Sequence, residues 1–72
     1  MARVLHLLKG DPGLAADVIA SQLAAGDRVT VALLEGEAPP LASRVTVRRL
    51  EADLTYPELV ELIFEADQVI AW

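Results

Sequence analysis

The sequence predicts a small α/β domain in which four mostly parallel strands are combined with two main helices. Continuous apolar runs at residues 4–8 and 29–34 flank a segment whose apolar residues recur at helical spacing. Such runs are typical of strands that are buried on both faces of a parallel sheet. A further strand, helix and strand follow, so we expect one domain over residues 1–72 with helices in two or three layers.

The first predicted helix has clear start and stop signals. Asp11 suits the N-cap, Pro12 suits the first helical position, and Gly26 stands where a helix typically ends in a left-handed residue. The apolar residues that predict its buried face are Leu14, Ala15, Val18, Ile19 and Leu23. Together with the two flanking runs, this helix predicts a βαβ unit.

The middle of the chain predicts a loop followed by a strand with one polar face. Pro39 and Pro40 exclude a regular helix, and residues 44–48 alternate between apolar and polar side chains. The cluster of Arg44, Arg48 and Arg49 is interpreted as charges that discourage edge pairing, or alternatively as a docking surface for an acidic partner or an RNA phosphate.

The second predicted helix has an unusually wide apolar surface. Thr55 and Glu58 have capping-box spacing, with Pro57 in the first turn. One narrow stripe is polar, formed by Glu58, Glu61, Glu65 and Gln68. We expect such a helix to be covered by its own sheet on one side and by a neighbouring subunit on another. The predicted interface residues are Tyr56, Val60, Phe64 and Trp72.

The strand order expected along the sheet is 2-1-3-4, and ligands of such sheets gather at the carboxyl ends of the strands. Gly10-x-x-Gly13 and Glu35 loosely resemble a dinucleotide site, or form only a turn and a loop acid. Nothing in the sequence places carboxylate pairs such as Glu51 and Asp53 around a substrate. We therefore predict no catalytic, cofactor-binding or metal-binding residues, and interpret His6 as a packed core residue.

The composition narrows the function classes. Eleven acidic residues against six basic ones give a net charge of −5, which argues against direct binding of nucleic acid. The sequence contains no cysteine and so has no thiol nucleophile. No apolar run is long enough for a membrane span or an export signal, so the expected location is the cytoplasm. The 54% hydrophobic content indicates that a partner covers part of the surface.

Four segments resemble the TusB/DsrH family of sulfur-relay proteins. V-L-H-L-L at residues 4–8 is similar to the family's M-L-H-x-L opening, and L-L-E-G at residues 33–36 to its L-L-Q-D-G. The segment 56–62 resembles D-Y-x-D-F-V-x-L, and Q-V-I-A-W at residues 68–72 resembles the ending Q-V-M-A-W. The connections after Gly36 and between Leu50 and Tyr56 are shorter than those of the family.

The resemblance implies a DsrE/DsrF/DsrH-like fold and a subunit of a complex that passes persulfide sulfur. The destination is the 2-thio group of a tRNA wobble uridine in TusB-type systems and sulfur oxidation in DsrH-type systems. Without a cysteine this chain would be a noncatalytic subunit, with DsrE/DsrF-like (TusC/TusD-like) partners. The alternatives are a homodimer of unassigned role and a small-ligand or nucleotide-binding domain.

Overall fold

Six elements follow one another in the order that the sequence predicts. The computed structural model describes residues 2–9, 13–36, 41 and 44–72. Its elements are β1 (Arg3–Lys9), α1 (Gly13–Ala24), β2 (Arg28–Glu35), β3 (Thr46–Arg49), α2 (Tyr56–Glu65) and β4 (Gln68–Ala71). All three strand pairs are parallel. The predicted α/β class is therefore confirmed, and neither described helix has the length and apolar character needed to cross a membrane.

The expected strand order 2-1-3-4 is wrong, because the sheet has the order β3-β2-β1-β4. Leu41 packs against the α1-side core, and β3 lies directly beside β2. To place the next strand beside β2, the chain has to move sideways by only about 4.8 Å, the spacing of adjacent strands. The order also puts the two longest apolar strands in the centre and the two four-residue strands at the edges.

The sheet is covered by one helix on each face, which makes three layers. On the α1 face, Ala15, Ile19 and Leu23 pack against side chains of the central strands. On the α2 face, the partly buried Leu59 and Leu62 pack against β1 and β2. Strand side chains alternate between the faces, so β1 and β2 contribute to both cores, as their continuous apolar runs predict.

The α1 helix ends as predicted but buries fewer residues than its pattern indicates. Gly26 has a φ of +91°, and the Gly26 and Asp27 amides donate to the Leu23 and Gln22 carbonyls. Leu14 was predicted to be core, and this is wrong because the side chain is 75% exposed. It lies about 140° around the helix from the centre of the buried residues Ala15, Ile19 and Leu23, so it points away from the sheet. The predicted cap residues Asp11 and Pro12 lie outside the described residues.

Candidate functional site

The α2 helix is fixed at its start by the predicted capping box. The Thr55 hydroxyl accepts from the Glu58 amide at 3.3 Å, and a Glu58 carboxylate oxygen accepts from the Thr55 amide at 2.9 Å. The same carboxylate oxygen accepts from the Thr55 hydroxyl at 2.9 Å, and the bonds donated by the Thr55 amide and hydroxyl, with the nearby Arg48 guanidinium, lower the pKa of Glu58 below its ordinary value. The reciprocal bonds satisfy two donors at the helix start, so the first turn is held in a defined position.

The α2 helix packs on the sheet with only one narrow side. Leu59, Leu62 and Ala66 contact the α2-side core, but no residue of α2 is fully buried. The α1 helix, by contrast, contributes three buried residues. Much of the apolar surface of α2 is therefore not covered by the described part of the chain.

An exposed apolar row runs along the outer flank of α2, and we call Tyr56, Val60 and Phe64 the α2 row. Tyr56 is 59% exposed, Val60 is 48% exposed and Phe64 is 84% exposed. Residues four apart lie above one another on a helix, so these three form one continuous strip. Ile63, 38% exposed, widens the strip and was not among the predicted interface residues. Its i+3 relation to Val60 is a signal that could have identified it.

The α2 row lies on the side of the helix that is turned away from Glu58 and from the sheet. On the opposite side of the helix, the Glu58 carboxylate lies 3.6 Å from the Arg48 guanidinium of β3. At 3.6 residues per turn, each residue of the α2 row lies about 120–160° around the helix from Glu58. Measured from the direction of Leu59 and Leu62, which contact the core, Tyr56 is turned by about 90° and Phe64 by about 170°, so the row turns away from the sheet into solvent.

The fourth predicted interface residue, Trp72, lies elsewhere. Its indole lies edge to edge with the His6 imidazole and donates to it, with ring centroids 6.0 Å apart and planes inclined by 14°. His6 also contacts Gln22 of α1, so Trp72 is on the α1 face, whereas the α2 row is on the other. The structure thus brings Tyr56, Val60 and Phe64 together and separates Trp72 from them.

The contacts of His6 determine which ring nitrogen carries the proton. The Trp72 indole N–H can only donate, and it lies 2.8 Å from His6 Nδ1, which must therefore accept. His6 Nε2 then carries the hydrogen and donates to Gln22 Oε1 at 2.6 Å. His6 is fully buried, so its prediction as a packed, hydrogen-bonded core residue is confirmed. This chain of bonds ties β1 to α1 and to the residue after β4.

The carboxyl edge of the sheet has a shallow depression where β1 and β4 end. It is lined by residues of the first α1 turns and by Trp72, including the exposed Leu14. Lys9 and Glu35 stand exposed at the ends of β1 and β2. Gly10, also part of the predicted ligand site, lies outside the described residues.

The remaining carboxylates of this edge do not converge on a common point. Asp53 is part of the turn before α2, where its side chain accepts from the Arg49 amide and its carbonyl accepts from Arg48. Glu51 occupies the left-handed region with a φ of 68° and bonds within the same turn. In residues 2–9, 13–36, 41 and 44–72, no three His, Asp or Glu side chains are grouped so as to hold a metal ion.

Comparison with known proteins identifies no relative: no family model, curated protein or solved structure matches the chain.

Proposed function

We propose that this chain is a noncatalytic docking subunit of a persulfide-transfer complex, related to the TusB/DsrH type. The observation that carries the proposal is the exposed α2 row, whose residues belong to neither core cluster of the described part of the chain. The sequence resemblance to the family includes residues 56–62, the first two turns of the same helix. Two independent observations, exposure and resemblance, therefore point to α2.

The α2 row has the chemistry of a protein interface. Full burial of an aromatic side chain removes about 150–250 Å² from water. With Phe64 84% and Tyr56 59% exposed, these two rings would contribute roughly 200–350 Å² to an interface. A standard interface buries about 800 Å² on each partner, so two side chains supply a quarter or more of it. Aromatic anchors of this kind commonly provide much of the binding energy.

The residue types of this chain indicate which subunit would carry the sulfur. A persulfide requires a thiol, and this sequence has no cysteine. The sulfur would therefore be carried by a cysteine of the partner, a DsrE/DsrF-like (TusC/TusD-like) subunit. The net charge of −5 leaves contact with tRNA phosphates, if tRNA is the acceptor, to the partner as well. This chain would position the sulfur-carrying subunit and would not itself react with the sulfur.

Reconstitution tests the proposal. The purified chain is mixed with a cysteine-bearing DsrE/DsrF-like protein of the same organism, and the mass of the product is measured by light scattering during gel filtration. We expect a stoichiometric complex that Phe64→Ser abolishes. The matched control is Leu14→Ser, which removes an equally exposed apolar side chain from α1 and should leave the complex intact. Failure of the two wild-type proteins to associate would refute the proposal.

A second candidate function is binding of a small ligand at the carboxyl edge. The observation that favours it is the strand order, since β1 and β4 are neighbours at the point where the chain reverses its direction of winding. Doubly wound sheets bind ligands at such a point. Trp72 and Leu14 lie there, and Trp72 is the only tryptophan. Titration with nucleotides at millimolar concentration should then change the tryptophan emission, and an unchanged spectrum would exclude this candidate for nucleotides.

A further inference from the structure

We propose that the open edge of β4 pairs in antiparallel fashion with β4 of a second copy of this chain. The proposal concerns backbone groups at the sheet edge and not the α2 row, so it goes beyond the proposed function and can fail or succeed without it. It rests on the different character of the two sheet edges, on the direction of the β4 backbone groups and on the charges around them.

The two edge strands of the sheet differ in how they are protected. Exposed strand edges commonly carry charged side chains that prevent pairing with another chain. β3 has Arg48 and Arg49 among its four residues, whereas β4 has the sequence Q-V-I-A and no charge. The acid just before β4, Asp67, is directed inwards, because its carboxylate accepts from the Arg3 amide at 2.8 Å. The β4 edge therefore lacks the protection that the β3 edge has.

The backbone of β4 presents alternate residues to the open side. The Trp72 amide donates to the Leu7 carbonyl of β1 at 3.0 Å. In a parallel ladder, residues two apart turn their backbone groups to the same neighbour, so Ile70 and Trp72 face β1. Val69 and Ala71 then direct their N–H and C=O groups away from the sheet. These are the groups that an added strand would bind.

A two-fold axis that passes between the Ile70 residues of the two copies brings both outward-facing residues, Val69 and Ala71, into backbone hydrogen bonds. Val69 then lies opposite Ala71 of the second copy, and each such pair exchanges both backbone hydrogen bonds. Ile70 meets its own symmetry mate as a non-hydrogen-bonded pair, whose Cα atoms are about 4.5 Å apart. Asp67 stays outside the paired segment. The result is one continuous sheet across the two copies.

The charges of the chain permit this self-pairing. In an isologous contact residue i of one copy meets residue j of the other and j meets i, and the paired segment 68–71 contains no charge that could meet a like one. The carboxylates of Glu61 and Glu65 lie on the part of α2 away from the β4 edge, since both are within about 60° of Glu58 around the helix. A charged partner strand would find no opposite charge at this edge, whereas pairing with a second copy brings no like charges together.

The arrangement leaves the α2 row accessible. Because α2 packs over β1, strand spacings of about 4.8 Å put the two α2 axes roughly 14 Å apart across the dimer. Helices in direct contact are separated by 8–10 Å. The two α2 rows would therefore line a shared surface above the paired strands, where a partner subunit could still dock.

Sedimentation of the full chain over a range of concentrations tests the self-pairing. We expect a monomer–dimer equilibrium that Val69→Lys weakens about tenfold or more, because two cross-strand contacts are lost per dimer. The matched control is Thr46→Lys, which adds the same charge to the exposed β3 edge and should leave dimerisation unchanged. Circular dichroism establishes that both variants are folded. In the wild type, amide exchange at Val69 and Ala71 should slow as the concentration rises.

Single-thiol variants locate the contact. The wild type contains no cysteine, so Ile70→Cys has one thiol, placed at the proposed axis. The expected Cα separation falls within the 4.4–6.8 Å range of disulfides, so mild oxidation should give a covalent dimer in high yield. Thr46→Cys on β3 should not crosslink.

Three results would overturn the proposal, none of which depends on the sulfur-relay partner. They are a wild-type chain that stays monomeric at hundreds of micromolar, equal effects of Val69→Lys and Thr46→Lys, and a dimer that Ile70→Cys does not crosslink.

Discussion

Replacing His6 by alanine removes the side chain that joins β1, α1 and Trp72. The imidazole is fully buried and makes hydrogen bonds to both Gln22 and Trp72. Truncation of a large buried side chain to alanine costs about 2–5 kcal/mol. Each lost hydrogen bond adds about 0.5–1.5 kcal/mol, reduced here because Gln22 and Trp72 can partly reach water. We expect His6→Ala to lower the free energy of unfolding by about 3–5 kcal/mol.

This loss is large for a chain of 72 residues, whose total stability is on the order of 4–11 kcal/mol. Urea unfolding followed by tryptophan emission measures it directly, since the only indole of the chain donates a hydrogen bond to His6. The emission of the folded variant should also shift to longer wavelength. Trp72→Phe, followed by circular dichroism, removes the donor to Nδ1 together with a small part of the ring and should cost about 1–2 kcal/mol. A loss below about 1 kcal/mol for His6→Ala, with unchanged emission, would refute the reasoning.

Two further predictions concern local structure. The pKa of Glu58 is lowered in the folded chain, so its carboxylate stabilises the fold above the unfolded pKa, near the ordinary 4.5, and this contribution is lost as pH falls through the folded pKa. The difference in unfolding free energy between the wild type and Glu58→Gln should therefore shrink between pH 6 and pH 3, and a constant difference would contradict the capping role. Gly26 has a φ of +91° and no atom within 4 Å of an added Cβ, so Gly26→Ala should cost about 1–2 kcal/mol through backbone strain alone. Gly26→Asn should cost less, and equal unfolding curves for all three chains would disprove this account.

Local patterns predicted the elements because each has its own physical signal. The continuous runs of β1 and β2, the Thr55–Glu58 box and Gly26 all lie within a few residues of the structure they determine. The strand order depends on distant contacts, and the expected order was wrong. One signal was nevertheless present: an apolar run as continuous as that of β2 belongs in the centre of a sheet, whereas the order 2-1-3-4 puts it at an edge.

The candidate site was predictable in part for the same reason. Tyr56, Val60 and Phe64 share a helix flank through their spacing alone, so the sequence places them together. Trp72 was grouped with them because of its residue type, but a strand side chain's face depends on the register, and Ala71 pairs with Leu7. That register puts Trp72 beside His6. The exposure of Leu14 likewise depends on how α1 is rotated against the sheet, since the neighbouring Ala15 is fully buried.

The affinity of the chain for a purified cysteine-bearing DsrE/DsrF-like subunit, measured with and without Phe64→Ser, shows whether the α2 row docks a partner. Phe64 is 84% exposed, so the substitution should change the unfolding free energy by less than about 0.5 kcal/mol. If the α2 row docks the partner, the dissociation constant should rise about 30-fold or more, as for a central aromatic anchor. An unchanged dissociation constant, with both chains folded, would contradict the claim.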